Sequence, residues 1–129
     1  SECLLMKDNI MTHNHPRGWG QPEKSLGRIG SSFSIEDLTL AVGNDVAEIR
    51  AVTPHYTFSM KRPKSGWGVT VKELKMVYMA NELKLRDQFM KRIKKNTLTP
   101  SQANATHFHL LARQIAKQYN WTYEKKKTR

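Results

Sequence analysis

A short apolar stretch and a polar break open the sequence, and the segment that follows them is predicted to be a strand. In the stretch IMTHNH, residues 10–15, every second side chain belongs to the same face of an extended chain. Pro16 follows and lacks a backbone N–H, so the strand is expected to end there. Residues 17–32 contain four glycines and show no periodicity, and we predict a long loop for them.

After the loop, the apolar residues recur first at the spacing of a helix and then in runs typical of strands. One helix face carries Ile35, Leu38, Ala41 and Val42. Ser34, with an acidic residue three positions later, is typical of a helix N-cap, and Gly43 or Asn44 is expected to end this helix. Residues 46–52 and 56–61 are rich in β-branched and aromatic side chains, which predicts an antiparallel hairpin.

Two helices are predicted in the second half of the chain. A capping-box pattern opens the first, over residues 71–95, and a threonine followed by Pro100 opens the second, over residues 101–119. Their apolar stripes are Leu74, Val77, Tyr78, Leu85, Phe89 and Ile93 in the first and Phe108, Leu111, Ala112, Ile115 and Tyr119 in the second. Trp67, in the loop before them, is expected to anchor packing. The last residues, 124–129, are mostly charged and are expected to be disordered.

These elements predict an α+β fold, with a small, mainly antiparallel sheet and a short helix, followed by a basic half with two helices. Residues 1–62 are expected to form the core of strand, loop, helix and hairpin, and residues 63–129 the basic helical part of the same domain. A chain of 129 residues fits a single domain. Its one cysteine excludes an internal disulfide framework. No apolar run approaches the roughly 20 residues that a membrane helix needs, so we expect no membrane partner.

The excess positive charge lies in the second half of the chain. Residues 1–60 contain five Lys/Arg and seven Asp/Glu, whereas residues 61–129 contain seventeen and four, within a net charge of +11. Such an imbalance favours a polyanionic partner such as RNA or DNA, or an acidic protein, because cations gain affinity by releasing the counterions of phosphates. A solvated helix surface with a frayed tail would explain the same charges without any partner.

Two histidines one residue apart are the strongest candidates for chemistry. His13 and His15 share a face of the predicted strand, where two imidazoles can bind one metal ion, and Asp37 at the start of the helix can add a carboxylate. A fourth position left to water would make a zinc site catalytic, because zinc lowers the pKa of bound water towards 7. Ser34 could then donate a hydrogen bond to an oxyanion. The alternative is structural: an ordinary helix cap and a strand that ends in a polar turn.

The motifs THNHP and FSIEDL resemble the His-x-His-Pro and Ser-x-x-Asp signature of the JAB/MPN (JAMM) metallopeptidase fold, which is also seen in RadC-type proteins. The order of predicted elements over residues 9–62 is similar as well. The resemblance implies zinc bound by His13, His15 and Asp37, with Ser34 assisting catalysis.

The chain departs from this family in two places. Seventeen residues separate Pro16 from Ser34, more than the family usually has, and a surface loop tolerates such an insertion because closure entropy grows slowly with length. The family's general base is a glutamate on a strand well upstream of the histidines. Glu2 is the only glutamate ahead of His13, and its surroundings do not match that strand. Without this glutamate the site would be catalytically degenerate, and the domain would be a module that binds nucleic acid or protein.

A second resemblance covers most of the chain. The stretches IMTHNHPRG, SSFSIEDL, NDVAEIRAV and YTFSMKRP are similar to the C-terminal domains of phage head-morphogenesis (Mu F-like) proteins and of bacterial polymorphic toxins. This resemblance implies a hydrolase-type toxin or effector domain, phage-encoded or delivered, that is released from a larger carrier and acts in the bacterial cytoplasm. A chain that begins at Ser1 agrees with such release. By analogy, an acidic immunity protein is an expected partner.

A metal-independent ribonuclease toxin is the alternative enzyme. In it, His13 or His15 acts as acid or base, and Lys/Arg side chains stabilise the phosphorane. His107 and His109 lie two positions apart in the last predicted helix, about 200° around its axis, so they cannot readily bind one ion together. Either of them could nevertheless serve a nuclease as acid or base.

Overall fold

The first two strands of the described residues lie side by side, and a helix separates them in the sequence. A computed structural model describes residues 7–14 and 32–127, with the side chains of residues 13 and 14 excepted. The strands are β1 (Ile10–Asn14), β2 (Glu48–Val52), β3 (Tyr56–Lys61) and β4 (Thr122–Lys127), and the helices are α1 (Ile35–Gly43), α2 (Val71–Lys94) and α3 (Pro100–Tyr119). The predicted α+β class, the first strand, the hairpin and the three predicted helices are confirmed. Within the described ranges, no helix is long and apolar enough to cross a membrane.

In the described part of the chain, four strands form one sheet in the order β1-β2-β3-β4. β1 and β2 are parallel, and α1 lies between them in the chain, because parallel neighbours need a crossover connection. β2 with β3, and β3 with β4, are antiparallel pairs. The register sets residues of the strands in rows across the sheet. One row is Met11, Ile49, Met60 and Tyr123, and another is His13, Ala51, Phe58 and Lys125.

The three helices of the described residues cover one face of this sheet, and the side chains of the other face are mainly polar. The core combines the covered face with the inner sides of the helices. Its members, all at most 1% exposed, include Ile49, Ala51, Phe58 and Met60 from the sheet and Leu38, Ala41, Leu74, Leu111 and Ile115 from the helices. Thr12, Lys61 and Lys126 belong to the alternate positions of their strands and are exposed. Burial of the apolar face is the main force that holds sheet and helices together.

Glu48 is a buried exception on the polar face, with 6% of its surface exposed. Its carboxylate pairs with the Arg50 guanidinium and accepts a hydrogen bond of 3.0 Å from the Ser59 hydroxyl. Burial alone raises the pKa of a carboxyl, but the bonds from Arg50 and Ser59 outweigh it and hold the pKa of Glu48 below its usual value. The carboxylate therefore stays charged and ties β2 to β3 on the polar face of the sheet.

Arg62 pairs with two carboxylates at the end of the sheet where β1 begins. Its Nη2 lies 2.6 Å from Asp8 Oδ1, and its Nη1 lies 2.8 Å from Asp45 Oδ1. The Asp8 N–H also donates to the Asp45 carbonyl at 3.0 Å. Because Asp45 lies two residues after the end of α1, the end of α1 and the start of β1 meet at this end of the sheet.

The C-terminal strand corrects one prediction. Disorder predicted for residues 124–129 is wrong for residues 124–127, which belong to β4 and pair with β3. Asn120 adopts the left-handed conformation, with φ of 60°, which ends α3 and turns the chain back towards the sheet. Tyr123 then packs against the core, whereas Lys126 stays exposed. Lysines on an edge strand also discourage pairing with other chains.

Candidate functional site

α1 begins with a reciprocal contact between Ser34 and Asp37. The Ser34 hydroxyl accepts a hydrogen bond from the Asp37 N–H at 3.3 Å, and Asp37 Oδ2 accepts one from the Ser34 N–H at 3.0 Å. The Ser34 hydroxyl also donates to Oδ2, at 3.1 Å. The predicted helix cap is therefore confirmed, in the form of a capping box. One carboxylate oxygen of Asp37 is thus held by two donors of a single residue.

β1 and α1 run in opposite directions. α1 ends beside the start of β1, as the bond between Asp8 and Asp45 shows. α1 has nine residues and is therefore about 13 Å long. Its first turn lies about this distance from the start of β1, towards the carboxyl ends of β1 and β2. His13 is the last residue but one of β1, and its backbone pairs with that of Ala51. The carboxyl end of β1 and the start of α1 therefore lie at the same end of the sheet.

The residues of the predicted zinc site differ in how the structure describes them. Ser34 and Asp37 are described in full, His13 through its backbone, and His15 lies outside the described residues. Among the side chains that are described, no group of three or more His, Cys, Asp or Glu could hold a metal ion. The two imidazoles of the predicted site are not among those side chains. Zinc binding by His13, His15 and Asp37 therefore stays a prediction.

A second polar group joins α3, β4 and the segment before α1. The Tyr123 hydroxyl lies 2.8 Å from His109 Nδ1 and 2.7 Å from the Ser32 hydroxyl. Ser32 is 2% exposed, whereas Tyr123 and His109 are partly exposed. The three side chains form a continuous hydrogen-bond chain that ends at the surface. Nε2, on the other side of the His109 ring, has no partner among the described residues.

The charged groups that act on His109 are cations. Burial, together with the positive charges of Lys125 and Arg113, lowers the pKa of His109 to about 4. The imidazole is therefore neutral at pH 7. Burial raises the pKa of Tyr123, so its hydroxyl keeps the proton. A neutral imidazole that is oriented by a tyrosine hydroxyl can accept a proton as a general base.

Little in the sequence indicates this cluster. The alternation in TYEKKK is the one signal, since it would place Tyr123 and Lys125 on one face of a strand. His107, by contrast, has different surroundings: its Nε2 lies 3.6 Å from the Glu82 carboxylate on α2. Burial lowers the pKa of His107, and Glu82 acts in the opposite direction. The two histidines of α3 thus have separate neighbours.

α1 and α2 also border a groove of about 670 Å³. Its lining includes Ile35, Leu40, Val71, Tyr78, Met79 and Glu82. Tyr78 is 3% exposed, and its hydroxyl has no hydrogen-bond partner among the described residues. Burial raises the pKa of Tyr78, so the hydroxyl stays protonated. A buried hydroxyl without a partner lowers the stability of the fold.

Replacing Tyr78 by phenylalanine is expected to raise the free energy of unfolding by about 1 kcal/mol, because it removes this unpaired hydroxyl. Urea unfolding measures the change. Tyr123→Phe is the matched control: it removes a hydroxyl bonded to both Ser32 and His109, and it should cost about 1–2 kcal/mol. Equal losses in the two variants would contradict the description of Tyr78.

Two arrangements of described residues are therefore candidates for binding or catalysis. They are the capping box at the start of α1 and the hydrogen-bond chain from Ser32 through Tyr123 to His109. Comparisons of the chain with protein-family models, with curated proteins and with solved structures find no match. Its function is therefore inferred from these residues and their geometry.

Proposed function

We propose that the chain is a hydrolase-type effector domain of a toxin system, released from a larger phage or bacterial carrier, with zinc at His13, His15 and Asp37 and with Ser34 assisting. The observation that carries the proposal is the capping box on a helix that links two adjacent parallel strands. Ligand sites of such units collect outside the carboxyl ends of the strands. His13 lies near the carboxyl end of β1, and Asp37 lies in the first turn of α1.

The donor set suits zinc. Two imidazoles and one carboxylate are a common set of protein ligands at a catalytic zinc site, in which one coordination position stays open to water. A ligating carboxylate works best when a neighbour orients it, and the two bonds from Ser34 to Asp37 would do so. Zinc bound there would supply a Lewis acid for hydrolysis.

The charge distribution supports a polyanionic target. Residues 61–129 contain seventeen Lys/Arg against four Asp/Glu, which suits RNA or DNA. In this proposal the domain acts in the bacterial cytoplasm, and an acidic immunity protein protects the cell that produces it. The same basic surface would attract that protein.

Elemental analysis of the chain purified without chelator tests the zinc site. We expect stoichiometric zinc in the parent and its loss in His13→Ala. His107→Ala is the matched control, since His107 lies in α3 beside Glu82 and its replacement should leave zinc in place. A metal-free protein whose His13→Ala variant hydrolyses RNA, DNA and peptide substrates as well as the parent would rule the proposal out.

A metal-independent ribonuclease is the second candidate, and the hydrogen-bond chain from Ser32 to His109 favours it. His109, neutral at pH 7, would act as a general base, and Lys/Arg side chains would stabilise the phosphorane. RNA cleavage that persists in excess EDTA and is lost in His109→Gln selects this candidate over the zinc hydrolase.

A further inference from the structure

Lys125 is an exposed cation that forms no ion pair within the described part of the chain. Its ammonium lies 4.2 Å from the centroid of the Tyr56 ring and 5.9 Å from that of Phe58. Partial burial against these rings lowers the pKa of Lys125. The next residue, Lys126, instead pairs with Glu124 at 3.0 Å. Two adjacent lysines of β4 therefore differ: Lys125 lies against aromatic rings, whereas Lys126 is paired with a carboxylate.

Arg113 adds a second cation beside His109. It follows His109 by about one turn of α3, is exposed, and forms no ion pair with the described residues. Lys125 and His109 lie against the same ring, because the Phe58 centroid is 5.9 Å from the Lys125 ammonium and 5.9 Å from the His109 ring centroid. Besides burial, the charges of Lys125 and Arg113 lower the pKa of His109, and no carboxylate of the described residues raises it. A surface on which the charged side chains are all positive attracts anions.

We propose that Lys125, Arg113 and His109 form a phosphate-binding site for a single-stranded nucleic acid. The two cations neutralise the phosphate, and His109 donates a charge-assisted hydrogen bond to it from Nε2. For this, the Tyr123 hydroxyl donates to His109 Nδ1 and the Ser32 hydroxyl donates to the Tyr123 oxygen, which leaves the ring proton on Nε2. The ring is thereby oriented before the ligand arrives, which reduces the entropy lost on binding.

A nucleic-acid strand fits this surface better than an isolated anion, because the cations continue beyond the site. Lys117 follows Arg113 by one turn of α3, and Lys127 follows Lys125 by two residues of β4, each about 6–7 Å further on. Tyr56 adds a partly exposed aromatic ring, and aromatic rings beside a cationic groove bind the unpaired bases of single strands. The inference rests on the proposed function in that it names nucleic acid as the substrate class.

Binding of a fluorescent, single-stranded 2′-O-methyl RNA, measured by anisotropy in EDTA, tests the site without zinc and without cleavage at the 2′ position. Lys125→Gln is expected to weaken binding about tenfold at low salt and to lower the salt dependence by about one released counterion. Lys126→Gln is the matched control, because it removes the same charge from the next residue of the same strand, and it should change the affinity by less than about twofold.

The histidines of α3 offer a second matched pair. His109→Gln is expected to weaken binding, whereas His107→Gln, two positions away and beside Glu82, should leave it unchanged. Lys125→Arg keeps the charge and should retain the affinity, and circular dichroism confirms that each variant is folded.

Two results would overturn the site. Equal losses in Lys125→Gln and Lys126→Gln would mean general attraction to the basic half of the chain. Binding to phosphatidylserine vesicles that depends on Lys125, without RNA binding, would assign the phosphate to a lipid. Because the measurement is made in EDTA, zinc binding can fail while this site stands, and the reverse holds as well.

Discussion

The Trp121→Ala variant is expected to lose about 3–5 kcal/mol of unfolding free energy, a large share of the stability of a domain of this size. Trp121 is 5% exposed, and its ring meets that of Trp67 edge-on, with 4.8 Å between centroids. Its Nε1–H donates to the Trp67 carbonyl at 2.8 Å, and the Trp67 Nε1–H donates to the Val46 carbonyl at 2.9 Å. The two indoles therefore join the turn after α3, the loop before α2 and the residues before β2.

Denaturant unfolding of the parent and the variant measures this loss, and the near-UV dichroism of the remaining tryptophans reports whether the packing survives. Trp121→Phe is the control that separates packing from hydrogen bonding. It keeps an aromatic ring against Trp67 but removes the bond to the carbonyl, and it should cost about 1–2 kcal/mol. A loss below about 1 kcal/mol in Trp121→Ala would mean that the indole does not anchor the return of the chain into β4.

The periodic elements could be predicted because their signals are local. α1 and α2 each begin with a side chain that caps a backbone N–H three residues on, at Ser34 and Thr70, and such contacts need only the neighbouring sequence. Trp67 was predicted to anchor packing, and its burial, with 4% exposed, confirms this. Its partner is Trp121, far along the chain, and the sequence offers no means of pairing the two.

β4 could not be predicted for the same reason. Its residues are mostly charged or polar, and a strand of that composition has little tendency to form alone. It forms because β3 offers an unpaired edge and because Tyr123 and Trp121 find burial on the covered side. Tertiary contacts thus override a local composition that is typical of disorder.

The candidate sites divide in the same way. Ser34 and Asp37 are three residues apart, and their contact follows from the helix start. Ser32 and Tyr123 are 91 residues apart, and their 2.7 Å contact depends on the whole fold. His109 is therefore distinguished from His107 by what packs against it, and no feature of the HFH stretch separates the two in advance.

Asp37→Asn is expected to abolish zinc binding and to lower hydrolytic activity by about a hundredfold or more, because an amide would replace the proposed carboxylate ligand. The amide oxygen can still accept the hydrogen bonds that Asp37 Oδ2 receives from Ser34, so the capping box should persist. Stability should fall by less than about 1 kcal/mol, the value of a carboxylate in the first turn of a helix. Zinc content, hydrolysis of RNA and urea unfolding measure the three quantities on one preparation.

The Ser34→Ala variant, compared with Asp37→Asn, separates helix capping from the proposed zinc binding. It removes the side chain that caps the Asp37 N–H, which should cost about 1 kcal/mol, yet it leaves the three proposed zinc ligands in place. We therefore expect Ser34→Ala to be less stable but to retain zinc, and Asp37→Asn to be nearly as stable but metal-free. If both variants lost stability and neither changed zinc content or activity, Asp37 would be a capping residue alone, and the chemistry would have to lie with His109 and its neighbours.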